Sequence, residues 1–203
     1  LVFLFTVVPF FTFTTSLMDT SSENQNSTLL HKRMALDGGT RHSKVAIFAM
    51  GWFWKPQRKF DTIKGVLRTT VGYTGGNPSS KAAVTYKTVC AGDGNVEAIA
   101  IEYDPTLLTY TTLLEKFLSL HDPTASKKRQ YCSAVFTIND EQIEIVDKVL
   151  NLQRNENIQT RVESLGKWTD AENRHQKYYE KKAAKKTAMK SFSKNTRVPF
   201  SSR

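Results

Sequence analysis

The stretch Val45-Ala46-Ile47-Phe48-Ala49-Met50-Gly51-Trp52-Phe53-Trp54 decides the fold. Residues 45–49 are an unbroken apolar run too short for a helix, which reads as a strand covered on both faces. Residues 53–60 follow as a helix, because Pro56 sits in its first turn, where a missing N–H is tolerated, and Gly65 closes it. A strand that ends in glycine and then presents three aromatic rings has the form of a binding pocket.

Outward from that stretch, residues 66–73 and 96–103 are rich in β-branched and aromatic side chains and read as strands. The loop between them carries Gly75, Gly76, Pro78, Gly92 and Gly94, and a loop that long is expected to be functional. Residues 109–120 place Leu113, Leu114, Phe117 and Leu118 on one helical face, and residues 131–138 read as a further strand. The order β-α-β-β-α-β predicts an α+β fold: a ferredoxin-like split β-α-β sandwich, with an antiparallel sheet carrying helices on one face. Extra C-terminal helices follow. Asn139 caps the first, with Gln142 in the capping position and Ile143, Val146 and Leu150 as its stripe; residues 170–190 have helical propensity and grow cationic, with Gly166 between the two.

The ends differ from the middle. Residues 1–17 are apolar and uncharged, resembling a signal-peptide core or short anchor, or upstream translation before Met18 or Met34; the first origin implies secretion and is the only one that implies membrane contact, the second a cytoplasmic protein. Residues 18–43 are a polar linker, 44–165 the folded domain, and 166–203 a C-terminal helix with a basic tail. Residues 177–203 hold nine Lys or Arg against Glu180 alone, so they carry most of the net charge of +10. Without interleaved aromatics or a base-reading motif, that tail reads as a solvated end and predicts no specific nucleic-acid partner. Cys90 and Cys132 lie far apart with no Cys-x-x-Cys spacing, which predicts neither a disulfide framework nor a metal site.

Six separated pieces, in order, resemble the A-type peptide methionine sulfoxide reductases: Gly51-x-Phe53-Trp54; Thr70-Val71-Gly72-Tyr73-Thr74-Gly75-Gly76; Tyr86 with Val89-Cys90-Ala91-Gly92; Glu97 with Glu102-Tyr103-Asp104-Pro105; His121-Asp122-Pro123; and Gln130-Tyr131-x-Ser133. The family's core shares the plan read above. The resemblance implies reduction of the S epimer of methionine sulfoxide in proteins by a monomer without a tightly bound cofactor, using an external, thioredoxin-like thiol reductant. A thiolate must attack sulfur while an acid protonates the departing oxygen. The resemblance makes Glu97 the acid, Tyr86 and Tyr131 the hydroxyl donors, Asp122 the supporting carboxylate, and Phe53 and Trp54 the wall that receives the methyl group.

The two-residue strand period independently puts Glu97 on the face of Ile99, Ile101 and Tyr103, where burial raises a carboxyl pKa. Gly72, Gly75 and Gly76 are expected to serve the backbone, through positive φ and close approach. Three departures stand out. Trp52 occupies the nucleophile's position, the segment from Pro123 to Gln130 is short, and Cys132 stands where the family has arginine. Strand alternation points Cys132 away from a pocket that Tyr131 faces, which argues against it as a surrogate nucleophile, and Cys90 is expected to be a small buried thiol. Two readings follow: a reductase that uses another thiol, or a catalytically silent protein that binds methionine sulfoxide or another partner.

Overall fold

The computed structural model describes residues 43–125, 127–152 and 158–195, so the apolar segment, the linker and the final basic residues lie outside it. Among the described residues six strands, numbered in chain order with the ranges given below, form one sheet in the order β5-β4-β1-β3-β2-β6. β1 (Lys44–Met50), β2 (Val66–Thr74), β3 (Val96–Tyr103) and β4 (Ser133–Thr137) make an antiparallel core in the ferredoxin-like order. Two edge additions were absent from the sequence reading: β5 (Arg161–Ser164) joins β4 in parallel and β6 (Thr169–Asp170) joins β2 antiparallel, making the sheet mixed.

Burial follows the strand period. Phe48, Val71, Tyr73, Ile99, Ile101 and Tyr103 face the helices, where they meet α1 (Trp54–Phe60), α2 (Tyr86–Cys90), α3 (Tyr110–Ser119) and α4 (Asp140–Leu152) through Phe60, Val89, Leu113, Phe117 and Val146. Phe48 stacks on Phe117 at 4.8 Å. Each such side chain taken fully from water contributes about 1.5–3 kcal/mol. The opposite face is a second cluster of Val45, Ile47, Ala98, Ala100, Ala134, Phe136 and Cys132. This double burial is why β1 reads as a continuous apolar run.

Local chemistry sets the helix starts. Thr109 accepts from the Thr112 amide at the head of α3. Asn139 accepts from the Gln142 amide, while Gln142 reaches back to the Ile138 amide and across to the Val45 carbonyl, tying α4 to β1. The buried stripe of α4 is Gln142, Val146 and Val149; Ile143 is substantially exposed. α2, inside the long loop, was not anticipated; Thr85 and Thr88 cap it reciprocally.

The second structural difference from expectation lies at the C-terminus. α5 (Tyr178–Asn195) starts only at Tyr178, because residues 169–177 are drawn across β2: the Ala171 amide donates to the Val71 carbonyl, and Gln176 bonds both the Val71 amide and carbonyl. Among the described residues no helix is long and apolar enough to cross a membrane.

Candidate active site

Glu97 is the centre of the site. β3 holds it on the helix face, 2 % exposed. One carboxylate oxygen accepts from the Phe53 backbone amide at 3.3 Å and the other from Gln130 Nε2 at 3.0 Å. Burial pushes the Glu97 carboxyl above its ordinary value, while those two donors pull it part of the way back. The net direction is upward, and the carboxyl lies beneath the surface with both oxygens engaged.

Tyr131 does not begin β4, as the sequence reading had it, but lies with Gln130 in a 3₁₀ turn, Arg129–Tyr131. Arg129 fixes that turn. Its guanidinium makes a bidentate pair with Glu163 of β5, at 2.6 and 2.9 Å, and donates to the Gly75 and Gly94 carbonyls. Gly75 has φ +80°, and a Cβ there would meet Arg129 at 2.8 Å and Phe136 at 3.0 Å, so glycine is required on both counts. Gly72 and Gly76 instead allow close approach, of Trp168 and Asn95 respectively.

Around Glu97 stand two of the expected hydroxyl and thiol groups. The Tyr86 phenol is pushed up to about 12, by burial first and then by its bond to Cys90. Cys90 is exposed rather than buried, and Gln130 Nε2 lies 3.4 Å from its sulfur, so one amide touches both the thiol and the acid. Cys132 is buried in the opposite-face cluster, where desolvation raises its thiol. Its place away from the pocket was expected, but the strand argument for it fails, since Tyr131 precedes the strand.

Phe53 is buried against Tyr73, Trp54 and His175. Trp54 is sandwiched: it stacks on Tyr178 at 4.1 Å and on His175 at 5.7 Å, and its indole N–H donates to His175 Nδ1 at 3.2 Å. His175 also meets the Tyr86 ring at 4.7 Å. Glu172 ties this group down: its carboxylate accepts from the Tyr73 hydroxyl at 2.8 Å and the Tyr86 amide at 3.0 Å. Sequence reasoning assigned no role to Gln130, Glu172 or His175. The last two belong to a segment with no hydrophobic period, and only their packing against Tyr73, Tyr86 and Trp54 reveals them.

Asp122 is not gathered with these groups. It is exposed and accepts from the Thr124 amide and hydroxyl, two bonds that hold its carboxyl below the usual range. The neighbouring His121 is the anchored member of that turn, bonding the Phe117 carbonyl at 2.8 Å and the Ser133 hydroxyl at 2.7 Å.

A cavity of about 490 Å³ opens at Trp52, Trp54 and Tyr131, lined also by Met50, Gly51, Pro56, Leu120 and Tyr179, with Lys55, Lys59 and Lys127; Glu97, Phe53 and Tyr86 are not among its lining residues. Trp52 is 66 % exposed and meets the Tyr131 ring edge-on at 6.2 Å, so its indole projects into this opening and leaves the Glu97 group intact.

The model of a family described as peptide methionine sulfoxide reductase matches residues 44–201. A probable peptide methionine sulfoxide reductase of Schizosaccharomyces pombe is 42% identical over 154 residues, covering 68% of this chain and 89% of its own. The peptide methionine sulfoxide reductase MsrA of Pelagibacter ubique is 36% identical, covering 68% of this chain and 99% of its own. Among solved structures, reduced Mxr1 from Saccharomyces cerevisiae superposes with a TM-score of 0.62 at 29% identity, covering 69% of this chain and 86% of that one. Methionine sulfoxide reductase A of Corynebacterium diphtheriae gives 0.60 at 28% identity, covering 70% and 76%. The chain belongs to the peptide methionine sulfoxide reductase family.

Proposed function

We propose that the site is built to receive the S epimer of methionine sulfoxide in proteins, and that reduction is disarmed at Trp52. The reaction converts thiol and sulfoxide into sulfenic acid and thioether: a thiolate attacks sulfur, oxygen passes to the thiol sulfur, and the acid supplies the proton. Glu97, buried and raised, suits the acid's part, with Tyr86 and Tyr131 as hydroxyl donors and Phe53 and Trp54 as the apolar wall. An indole has no ionisable nucleophile, so the thiol's part goes unfilled at position 52. The observation that carries this reading is the hydrogen bonding of Glu97 to Phe53 and Gln130, whose chain neighbours Trp52, Trp54 and Tyr131 line an open cavity.

A second reading is favoured by one contact: exposed Cys90 touches the same Gln130 that bonds Glu97, so a relocated thiol would keep the chain a reductase. That reading requires an external, thioredoxin-like reductant to clear the sulfenic acid.

The test is reduction of an S-sulfoxide methionyl peptide with dithiothreitol by the full chain and its Trp52→Cys, Cys90→Ser and Cys132→Ser variants. Turnover is expected only after Trp52→Cys. Turnover in the unaltered chain that vanishes with Cys90→Ser would replace the disarmed reading with the second one.

A further inference from the structure

The rim of the cavity is cationic. Lys55 and Lys59 stand one turn apart on α1, both exposed, and both line the opening. Lys127 enters from the other side: its ammonium lies 3.9 Å from where a side chain on Gly51 would begin. Among the described residues no Asp or Glu lines the cavity. Asp122 bears on Lys127 electrostatically, yet it is exposed and its carboxylate is engaged by Thr124.

The same sign continues outward. Tyr179 of α5 forms part of the cavity wall, and Lys182 and Lys186 follow it at three and seven residues, on the same face of that helix. Arg58 of α1 lies over the Tyr179 ring at 5.8 Å, joining the two helices into one basic surface.

An apolar, aromatic pit surrounded by ammonium groups matches one extended ligand: an apolar side chain entering the pit, with carboxylates on either side of it. We propose that this rim selects oxidised methionines lying in Asp- and Glu-rich stretches of protein. The inference rests on the reading that the cavity takes a methionyl side chain, and adds the sequence context of the substrate. A polyphosphate backbone fits less well, because the aromatic groups converge in one pit and do not form a row on which successive bases could stack.

The full chain decides the matter in fluorescence-anisotropy titrations with dye-labelled peptides that share a central S-sulfoxide methionine and differ only in its flanks: four Glu, four Gln or four Lys. A fourth peptide has Glu flanks around norleucine. The Glu-flanked sulfoxide peptide is expected to bind about tenfold more tightly than the Gln-flanked one, given the modest worth of each exposed ion pair. That advantage should shrink towards unity in about 0.5 M salt and in a Lys55→Glu, Lys59→Glu double variant, whose fold is checked by circular dichroism. A milder pair, Lys55→Gln with Lys59→Gln, should lose part of it.

Equal affinity for Glu and Gln flanks would overturn the acidic preference and leave the sulfoxide reading standing. Equal affinity for Glu-flanked norleucine and sulfoxide would keep the acidic preference and sink the sulfoxide reading. Displacement of the peptide by oligo-dT at lower concentration than by a Glu-rich competitor would overturn the proposal in favour of a nucleic-acid surface.

Discussion

The two sides of the site differ in how they are held. On the acid side, Glu97 sits in a central strand, bonded by a backbone amide and by Gln130, and Tyr86 and Tyr73 are tied to Glu172. On the other side, Trp52 follows a glycine at a strand end, is two-thirds exposed, and touches Tyr131 by a ring edge. The acid side is part of the core, so changing it disturbs packing and hydrogen bonding together. The Trp52 side is a turn that can change its side chain at little structural expense. The fold therefore holds the proposed acid and its partners in place whatever side chain stands at position 52.

The strongest way to break this contrast is Glu97→Gln in the Trp52→Cys background. Loss of the general acid should lower the peptide-reduction rate by about 10²–10⁴. An unchanged rate would remove Glu97 from the reaction and leave it a packing residue. The same substitution has a second signature. Since burial raises the Glu97 carboxyl in the folded chain, the unfolded chain ionises first as pH climbs. Stability therefore falls from the ordinary Glu value, near 4.3, up to the raised folded value. Urea titrations across that window should show the decline in the parent and a flatter profile in E97Q.

A smaller effect isolates the acid side from the outside. A Cβ on Gly72 would lie 2.4 Å from the Trp168 ring and 2.6 Å from the Thr169 carbonyl, so Gly72→Ala must displace β6 and the segment carrying Glu172 and His175. A destabilisation of about 1–3 kcal/mol is expected from such overpacking, measured as a shift in urea midpoint. Trp54 fluorescence should change with it, while accessibility of Trp52 to an aqueous quencher should not. Equal change at both would mean that the two sides are one cooperative unit.

How far the sequence disclosed this division follows from what stabilises each element. β3 was legible to its ends, residues 96–103, and β1 nearly so, because their side-chain pattern is dictated by a core on both faces; β2 was nearly so through Val66, Val71 and Tyr73 on the helix face alone. Edge strand β5, Arg-Val-Glu-Ser and mostly exposed, had no such pattern; partner backbone and the Arg129–Glu163 pair make it a strand. β4 begins two residues late because Arg129 winds the preceding turn. Residues 170–177 have helical propensity, but backbone bonding to Val71 overrides it, and with that went Glu172 and His175. Glu97 was accessible to plain strand periodicity, while the places of Tyr86, Tyr131, Phe53 and Trp54 came from resemblance. Asp122 carried the same kind of argument to a residue that the fold spends on a turn.

The last and smallest effect concerns His175, which touches both sides: Trp54, which lines the cavity, and Tyr86, beside the acid. Its Nε2 is buried with no hydrogen-bond partner among the described residues, 3.7 Å from a Glu172 oxygen. Burial first, and then Arg174, lower the imidazole's pKa, and Glu172 opposes them. Below pH 6.5 the unfolded chain accepts a proton that the folded chain resists, so stability drops as pH falls from that point towards the lowered folded value. His121, half-buried with the same direction of shift, contributes a slope of the same sign. The two separate by position: His175 stacks on Trp54 and accepts from its indole N–H, a bond that protonation at Nδ1 would destroy. His175→Gln should therefore abolish the acid-induced change in Trp54 emission and remove part of the stability slope, while His121→Gln should remove another part of the slope and leave the emission change in place. If H175Q left the emission titration unchanged, His175 would not be the proton acceptor joining the two sides.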